Sequence, residues 1–249
     1  MKILALIPAR YASTRFPGKP LVEIKGKSMI QRVVEQSLKA FEYVYVATDD
    51  QRIFDHITEL GYKAVMTSTH HKSGTDRCAE ALKLVSDQLN IKFDIVVNVQ
   101  GDEPFISPQQ LRLLVKAFEN QNTQIATLIK KIENEQELFD SNKPKVVTDI
   151  NGKAIYFSRS VIPFCRNHDS KNWLKQHTYY KHIGLYAYRA SILNEITQLK
   201  TSSLETCESL EQLRWIENGY YIQTIITDIE TFSVDTPEDL KNILHQLHE

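Results

Sequence analysis

Short apolar runs alternate with helical patterns over the first half of the chain. Of all features of the sequence, this alternation places the strongest restriction on the fold. The runs at 3–7, 43–48, 63–66 and 94–99 have the length and composition of buried strands. Helical patterns separate them, after Ser28, at 51–60 and at about 73–87. Strands joined through helices lie parallel, with helices on both faces of the sheet. The sequence therefore predicts a three-layer α/β fold around a mostly parallel sheet.

The pattern changes after residue 145. Residues 146–150 and 153–158 favour strands and flank Asn151-Gly152, a strong hairpin signal. We further expect an irregular polar segment at 166–177, a strand at 182–188 and a helix at 203–218. Because the 249 residues show no clear linker, we expect a single domain over 1–249, with 145–200 as a small cap or dimerisation subregion.

Composition narrows the class of protein. The net charge is −1, so nucleic acid is not an expected partner, and no stretch approaches the length of a membrane span, so a membrane is not expected either. The three cysteines are widely spaced, which is typical of a reducing compartment, and the first apolar run is too short for a signal peptide. We therefore expect a cytoplasmic protein. Cys78 and Cys207 lie on apolar helical stripes and are expected in the core, and no histidine pair has zinc-ligand spacing.

Positive charge is concentrated in the loop after the first strand. Arg10, Arg15 and Lys19 lie close together there, with the Ser13 hydroxyl and Gly18. Guanidinium groups and backbone amides at this place in an α/β sheet suit a polyphosphate. A solvated basic loop is the alternative. The glycines match neither the Walker motif nor the dinucleotide fingerprint, so side-chain cations would hold the phosphate.

Two acidic segments complement this loop. Asp102 follows the buried strand at 94–99, and Asp235 precedes a C-terminal helix for which Thr236 is the expected cap. Each has an ordinary explanation, a turn for Asp102 and a helix start for Asp235. Together with the cationic loop, they predict a site for Mg²⁺ and a nucleotide, because Mg²⁺ takes one or two protein carboxylates and substrate phosphates.

A third cluster, residues 73–77, opens a predicted helix. Its hydroxyls and amides could hold an anion or a base edge. A plain N-cap explains Ser73 or Thr75 equally well. Arg77 is unfavourable near the positive end of a helix unless something negative lies close to it.

Two later segments offer polar groups that suit a sugar. His182, Gly184 and Tyr186 share one face of a predicted strand, and Glu211 and Gln212 lie on the helix predicted at 203–218. A half-exposed strand and a solvated helix face are the ordinary alternatives.

Eight segments resemble, in order, the motifs of the sugar nucleotidyltransferase superfamily, and most closely those of the 3-deoxy-manno-octulosonate (Kdo) cytidylyltransferases. They cover 9–21, 46–49, 73–77, 98–104, 156–159, 182–186, 210–214 and 234–239. The resemblance implies a Rossmann-like nucleotidyltransferase fold and a homodimer. It also implies transfer of CMP from CTP to the anomeric hydroxyl of Kdo, with release of pyrophosphate, for lipopolysaccharide synthesis.

The resemblance also implies roles for individual residues. The nucleotide would be bound by Ala9, Arg10, Ser13, Arg15, Lys19, Ser73, Thr75 and Asp76. Catalysis would depend on Arg10, Arg15 and Lys19, of which Lys19 would stabilise charge at the α-phosphate and the leaving group. Mg²⁺ would be held by Asp102 and Asp235. The sugar acid would be bound by Gln100, Arg159, His182, Tyr186, Glu211 and Gln212.

Three alternatives remain open at this level. The substrate could be a related sugar acid, of the amino-substituted Kdo or sialic-acid type, or the enzyme could use another nucleotide. An NAD-dependent oxidoreductase has a similar fold, but the missing glycine fingerprint argues against it. A non-catalytic nucleotide-binding regulator would not need Lys19, Asp102 and Asp235 together.

Overall fold

The computed structural model describes residues 1–12 and 16–246, with side chains as far as residue 241. The strands are β1 Ile3–Ala9, β2 Glu23–Ile24, β3 Lys27–Ser28, β4 Tyr43–Thr48, β5 Ala64–Met66, β6 Ile95–Asn98, β7 Ile125–Lys131, β8 Lys145–Thr148, β9 Ala154–Ser158, β10 Tyr180–Arg189 and β11 Ile222–Ile226. The α-helices are α1 Met29–Leu38, α2 Gln51–Glu59, α3 Gly74–Leu89, α4 Pro108–Lys116, α5 Glu135–Phe139, α6 Trp173–Gln176, α7 Ala190–Ile196, α8 Ser203–Glu208, α9 Gln212–Glu217 and α10 Pro237–Gln246. The predicted α/β class is confirmed.

Internal contacts divide the chain into two compact units. The first unit comprises Met1–Arg112, Arg189–Thr197 and Thr231–Glu249, and the second comprises Leu113–Tyr188 and Gln198–Glu230. The single domain over 1–249, with 145–200 as a subregion, stays a prediction. Among the described residues, no helix is both long and apolar enough to cross a membrane.

The first unit contains the predicted parallel sheet. Strand β1 pairs with β6 on one side and with β4 on the other, and β4 pairs with β5, all in parallel. Leu4 to Ile7 of β1 have no exposed surface, because both faces of a parallel sheet are covered when helices form the crossovers. The carboxyl ends of β1, β4 and β6 therefore lie at one edge, where α/β folds bind ligands.

Helix boundaries in this unit follow local capping chemistry. Asp50 caps α2 by accepting from Arg52 N at 3.0 Å, and Gly61 ends that region with a φ of 79°. Ser28 caps α1 by accepting from Gln31 N, whereas the Gln31 side chain donates to Glu35, so only half of a Ser-x-x-Gln capping box is formed.

The second unit contains a mixed sheet in the order β11-β7-β10-β8-β9. Strand β7 is antiparallel to β10 and parallel to β11, and β8 pairs antiparallel with β9 and β10. The hairpin of β8 and β9 confirms the prediction around Asn151-Gly152, where Gly152 has a φ of 74°.

Three sequence-based expectations are wrong in detail. The helix predicted at 203–218 is two helices, α8 and α9, because Ser209 takes a left-handed conformation with a φ of 51°. As a consequence, Cys207 is exposed and not part of the core. The segment 166–177 is not irregular throughout: it holds a 3-10 turn and α6, fixed by Trp173, whose indole donates to His168 O at 3.0 Å.

Candidate active site

The loop after β1 turns back on itself and presents Lys19. Gly18 N donates to Tyr11 O at 3.1 Å, and Gly18 has a φ of 71°. A Cβ at Gly18 would lie 3.1 Å from the Tyr11 hydroxyl, so both space and backbone conformation favour glycine here. Lys19 follows as the first residue of a 3-10 turn, Lys19–Leu21. The predicted phosphate-binding residues Ser13 and Arg15 lie outside the described residues.

Lys19 bridges the two predicted metal ligands. Its Nζ lies 2.8 Å from Asp102 Oδ2 and 3.3 Å from Asp235 Oδ1. The side chains are 15%, 27% and 39% exposed for Lys19, Asp102 and Asp235, respectively, so the cluster is open to solvent and to ligands on one side. The structure therefore brings the predicted cationic and acidic centres together.

A backbone hydrogen bond places Asp235 beside Asp102. Val234 N donates to Asp102 O at 2.9 Å, and the fully buried Val234 side chain packs with Ile24 and Met29. Burial of an aliphatic side chain contributes about 1.5–3 kcal/mol, so this contact holds the segment firmly.

The start of α10 fixes the backbone of the same segment. Asp239 accepts from Asp235 N at 3.0 Å and from Thr236 N at 2.8 Å, and Thr236 Oγ1 in turn accepts from Asp239 N at 3.2 Å. This reciprocal cap satisfies the free amides at the helix start and confirms Thr236 as the cap of α10.

Close backbone approach around Pro8 shapes the site. A Cβ at Gly101 would lie 2.8 Å from Pro8 O, and a Cβ at Gly74 would lie 3.3 Å from Pro8 Cγ. Any larger residue at position 101 would push the turn that carries Asp102 away from the end of β1. The sequence motifs around these glycines thus have a steric reason.

The cleft at this edge has a largely cationic and polar lining. The lining residues are Pro8, Ala9, Arg10, Lys19, Pro20, His71, Lys72, Ser73, Gly74, Arg77, Gln100, Gly101, Asp102 and Asp235. Of the predicted nucleotide residues, Ala9, Arg10, Lys19 and Ser73 are in this set. Thr75 is 3% exposed, and neither Thr75 nor Asp76 is among the lining residues.

Ser73 and Arg77 organise the start of α3. Ser73 caps the helix by accepting from Asp76 N at 3.1 Å. Arg77 donates to Asp49 Oδ2 at 2.7 Å and to Thr67 Oγ1 at 2.6 Å. Asp49 is thus the negative partner that makes a cation tolerable near the positive end of the helix. Because Asp49 follows β4 and Thr67 follows β5, Arg77 ties both strand ends to α3.

Sequence analysis missed the lining residues His71 and Lys72. His71 Nε2 contacts Glu80 Oε2, and Ser68 N donates to the same carboxylate oxygen at 2.8 Å. Burial alone would raise the pKa of Glu80, but the hydrogen bonds from His71 and Ser68 N bring that pKa below its usual value. The sequence gives only a weak signal for this pair, because His71 lies in a loop and Glu80 lies about two turns into α3.

Glu103, next to Asp102, was also missed. It is 6% exposed, and its Oε2 has no hydrogen-bond partner among the described residues. Burial, with a smaller contribution from the Asp102 charge, raises the pKa of Glu103 to about 8. Glu103 is therefore mostly protonated at neutral pH.

In the second unit, His182 and Tyr186 lie on β10 with their ring centroids 5.2 Å apart. The strand register shifts between Ile183 and Tyr186. His182 Nε2 is 3.1 Å from Thr127 Oγ1, which is also 2.9 Å from Leu185 O. Because a carbonyl only accepts, the Thr127 hydroxyl donates to it and His182 Nε2 donates to Thr127. Nδ1 is then the acceptor nitrogen.

His182 is neutral in this arrangement. Burial lowers the pKa of His182 to about 3. The neutral form is favoured because a buried imidazolium without an acidic partner is costly.

Buried polar atoms without partners accompany these rings. Tyr186 Oη, Gln212 Nε2 and Trp215 Nε1 have no hydrogen-bond partner among the described residues. The three side chains are 7%, 5% and 1% exposed, in that order. Such atoms cost free energy unless something pairs with them. Trp215, which stands edge-to-face on Tyr186 at 5.1 Å, was not predicted.

The remaining predicted sugar-binding residues have internal partners. Glu211 pairs with Arg214 at 2.8 Å. The Arg159 guanidinium donates to the carbonyl oxygens of Ser141, Glu208 and Ser209 at 3.0, 2.7 and 3.3 Å. Arg159 thus ties the end of β9 to the junction of α8 and α9. Gln100 lines the cleft of the first unit.

Comparison with known proteins agrees with this geometry. The profile of the cytidylyltransferase family matches residues 4–231. A protein of Bacteroides thetaiotaomicron named 3-deoxy-manno-octulosonate cytidylyltransferase is 57% identical, with 97% of this chain and 96% of the relative covered. A protein of the same name from Cytophaga hutchinsonii is 56% identical, with 98% and 97% covered.

A solved structure is also similar over the whole chain. It is that of CMP:2-keto-3-deoxy-manno-octonic acid synthetase complexed with CTP, which has a TM-score of 0.90 and 39% identity and covers 100% of this chain and 99% of that one. The resemblance in the sequence motifs is thereby confirmed, and the chain belongs to the cytidylyltransferase family.

Proposed function

We propose that this protein transfers CMP from CTP to the anomeric hydroxyl of Kdo and releases pyrophosphate. The observation that carries the proposal is the contact of Lys19 Nζ with both Asp102 and Asp235, at 2.8 and 3.3 Å, in a cleft at the carboxyl end of β1. A cation and two acids in one cleft suit a metal-bound polyphosphate. The relatives named Kdo cytidylyltransferases supply the substrate pair, and their name points to lipopolysaccharide synthesis.

The residues present fit a Mg²⁺ ion. Two carboxylates already converge on one cation, the Lys19 ammonium, and oxygen donors of this kind suit Mg²⁺. We propose that Asp102 and Asp235 hold the ion. When bound, Mg²⁺ would neutralise phosphate charge and lower the pKa of a coordinated hydroxyl.

The chain's own cations would act on the phosphates. In the reaction, the sugar hydroxyl oxygen bonds to the α-phosphorus, the bond to the β-phosphate oxygen breaks, and the hydroxyl proton is lost. Negative charge grows on the departing pyrophosphate, and transfers of this type depend on alignment and charge stabilisation. We assign that stabilisation to Lys19, Arg10 and Arg15. Ala9, Ser13, Ser73, Thr75 and Asp76 are the proposed nucleotide-binding residues.

The sugar acid would be recognised by polar groups that the protein leaves unpaired. In the second unit, these are Tyr186 Oη and Gln212 Nε2, and His182 Nδ1 is an acceptor there. A ligand hydroxyl that pairs with such atoms removes their burial cost, which favours binding. We also propose Gln100, Arg159 and Glu211 as sugar-acid residues. A related sugar acid, of the amino-substituted Kdo or sialic-acid type, is the second candidate substrate, because the proposed polar residues would hydrogen-bond to hydroxyl groups that all these sugar acids have.

We further propose a cytoplasmic homodimer. Large apolar side chains are exposed in the segment 145–200: Ile150 is 99%, Phe164 71% and Ile155 56% exposed. Exposed apolar groups of this size are typical of contact surfaces. Sedimentation equilibrium of the full chain tests the dimer, and a monomer at micromolar concentration contradicts it.

Pyrophosphate release tests the function directly. CTP with Kdo should release pyrophosphate only with Mg²⁺ present, and UTP or N-acetylneuraminate should not replace the proper substrate. Lys19→Ala should lower kcat by about 10²–10³-fold, as loss of a donor to developing charge does. An effect on KM alone would assign Lys19 to binding. Release with a different sugar acid would select the second candidate, and no release with any pair would refute the proposed chemistry.

A further inference from the structure

Lys19 occupies the place between Asp102 and Asp235 that a metal ion would need. Its Nζ is within hydrogen-bond distance of an oxygen from each carboxylate. One ammonium has three donors and a single charge, so it offsets the repulsion between two acids that would otherwise face each other. A divalent ion held by Asp102 and Asp235 would compete with Lys19 for these carboxylates.

We propose that Lys19 competes with the metal in the nucleotide-free protein, and that CTP makes room for the metal by drawing the Lys19 ammonium onto its phosphates. The inference rests on the proposed function, because it takes Asp102 and Asp235 as the metal ligands. It adds a second task for Lys19: it acts as an internal cation before substrate arrives and binds phosphate afterwards.

The local structure supports an exchange of this kind. Lys19 is anchored through its backbone by the Gly18 turn, whose amide donates to Tyr11 O at 3.1 Å, whereas its ammonium reaches the two carboxylates on a flexible four-carbon stem. Arg10 lines the same cleft and adds positive charge. The cations of the cleft therefore attract an incoming triphosphate. A divalent ion without nucleotide is attracted less, because Lys19 already offsets part of the negative charge of the two carboxylates.

Two consequences follow for binding. Metal alone should bind weakly to the wild-type protein, and CTP should increase metal affinity by more than its own phosphate ligands account for. By thermodynamic reciprocity, metal should increase CTP affinity by the same factor. Neutralising Lys19 should strengthen metal binding in the absence of CTP and reduce the coupling between the two ligands.

The test uses Mn²⁺ as a spectroscopic probe that suits the same oxygen ligands as Mg²⁺. Free Mn²⁺ is measured by electron paramagnetic resonance in titrations of wild type, Lys19→Met and Lys72→Met. Lys72 lines the same cleft and makes Lys72→Met the matched control for loss of one charge. Without CTP, Lys19→Met should bind Mn²⁺ at least about tenfold more tightly than wild type, and Lys72→Met should stay within about twofold, since screening weakens the more distant charge.

Equal Mn²⁺ affinity of wild type and Lys19→Met without CTP overturns the proposal. Should the methionine variant fold poorly by circular dichroism, Lys19→Gln gives the same comparison with a polar, neutral side chain. The variant Asp102→Asn distinguishes an error in the proposed competition from an error in the proposed metal site. If Asp102→Asn leaves Mn²⁺ binding with CTP unchanged, the metal assignment is wrong. If it abolishes that binding while Lys19→Met has no effect, only the competition is wrong.

Discussion

His182 gives the sharpest link between the structure and a measurable pH dependence. The group is neutral in the folded protein because burial lowers the pKa of His182 to about 3, whereas it takes up a proton near pH 6.5 in the unfolded chain. A group whose pKa is lower in the folded protein than in the unfolded chain makes its full contribution to the unfolding free energy only above its unfolded pKa. That contribution is lost as the pH falls from 6.5 towards the folded value.

The size of the effect follows from proton binding to the unfolded chain. Between pH 7 and pH 5, the wild type should lose about 2 kcal/mol of unfolding free energy through this one group. The figure hardly depends on the folded pKa, provided it stays below about 4.5. His182→Gln removes the titration and keeps an amide donor near the Nε2 position that contacts Thr127 Oγ1.

Urea unfolding at pH 5, 6 and 7, followed by circular dichroism, measures the difference between wild type and His182→Gln. Lost ring contacts with Phe157 and Tyr186, both at 5.2 Å, should lower the stability of the variant by a constant amount at every pH. The unfolding free energies of wild type and His182→Gln should nevertheless become more similar as the pH falls. Parallel profiles, or titration of His182 near pH 6.5 in the folded protein by NMR, would falsify the reasoning.

Two further predictions concern the first unit. Arg77→Met and Asp49→Asn each remove one partner of an ion pair whose side chains are 5% and 17% exposed, so each should cost about 2–4 kcal/mol of unfolding free energy. The double variant should cost less than the sum by about 1–2 kcal/mol, and simple additivity in a urea double-mutant cycle would contradict a direct contact. Gly101→Ala should lower stability by about 1–3 kcal/mol, because its Cβ would lie 2.8 Å from Pro8 O. The control is Gly184→Ala in the second unit, whose Cβ would meet no described atom within 4 Å and which should therefore unfold at nearly the wild-type temperature.

Local signals in the sequence were sufficient to predict the parallel strands and the loop that follows β1. Buried runs, caps and the Asn151-Gly152 turn depend on neighbours in the chain, so periodicity and turn chemistry reveal them. The position of Lys19 and Asp102 in one cleft could be predicted for the same reason, since each follows a strand of the sheet; their roles stay predictions.

Other features depend on contacts between distant residues or on unusual backbone conformations. The break at Ser209 was missed because a serine in the left-handed region leaves no glycine signal. The pairing of His71 with Glu80 joins a loop to a helix and has no pattern in sequence. The side-chain partners of Arg159 are likewise visible only in three dimensions, where backbone carbonyls occupy much of its guanidinium.

The hydrogen bond from Val234 N to Asp102 O has a consequence for how the protein is made and degraded. The second carboxylate of the cluster arrives only with the last part of the chain. Removal of α10 alone leaves Val234 and Asp235 in the chain but takes away the Asp239 carboxylate that accepts from Asp235 N and Thr236 N, whereas a chain that ends before Val234 lacks both residues. Lys19 then faces a single acid, and Val234 no longer fills its place against Ile24 and Met29. A copy truncated before Val234 therefore lacks this two-carboxylate centre.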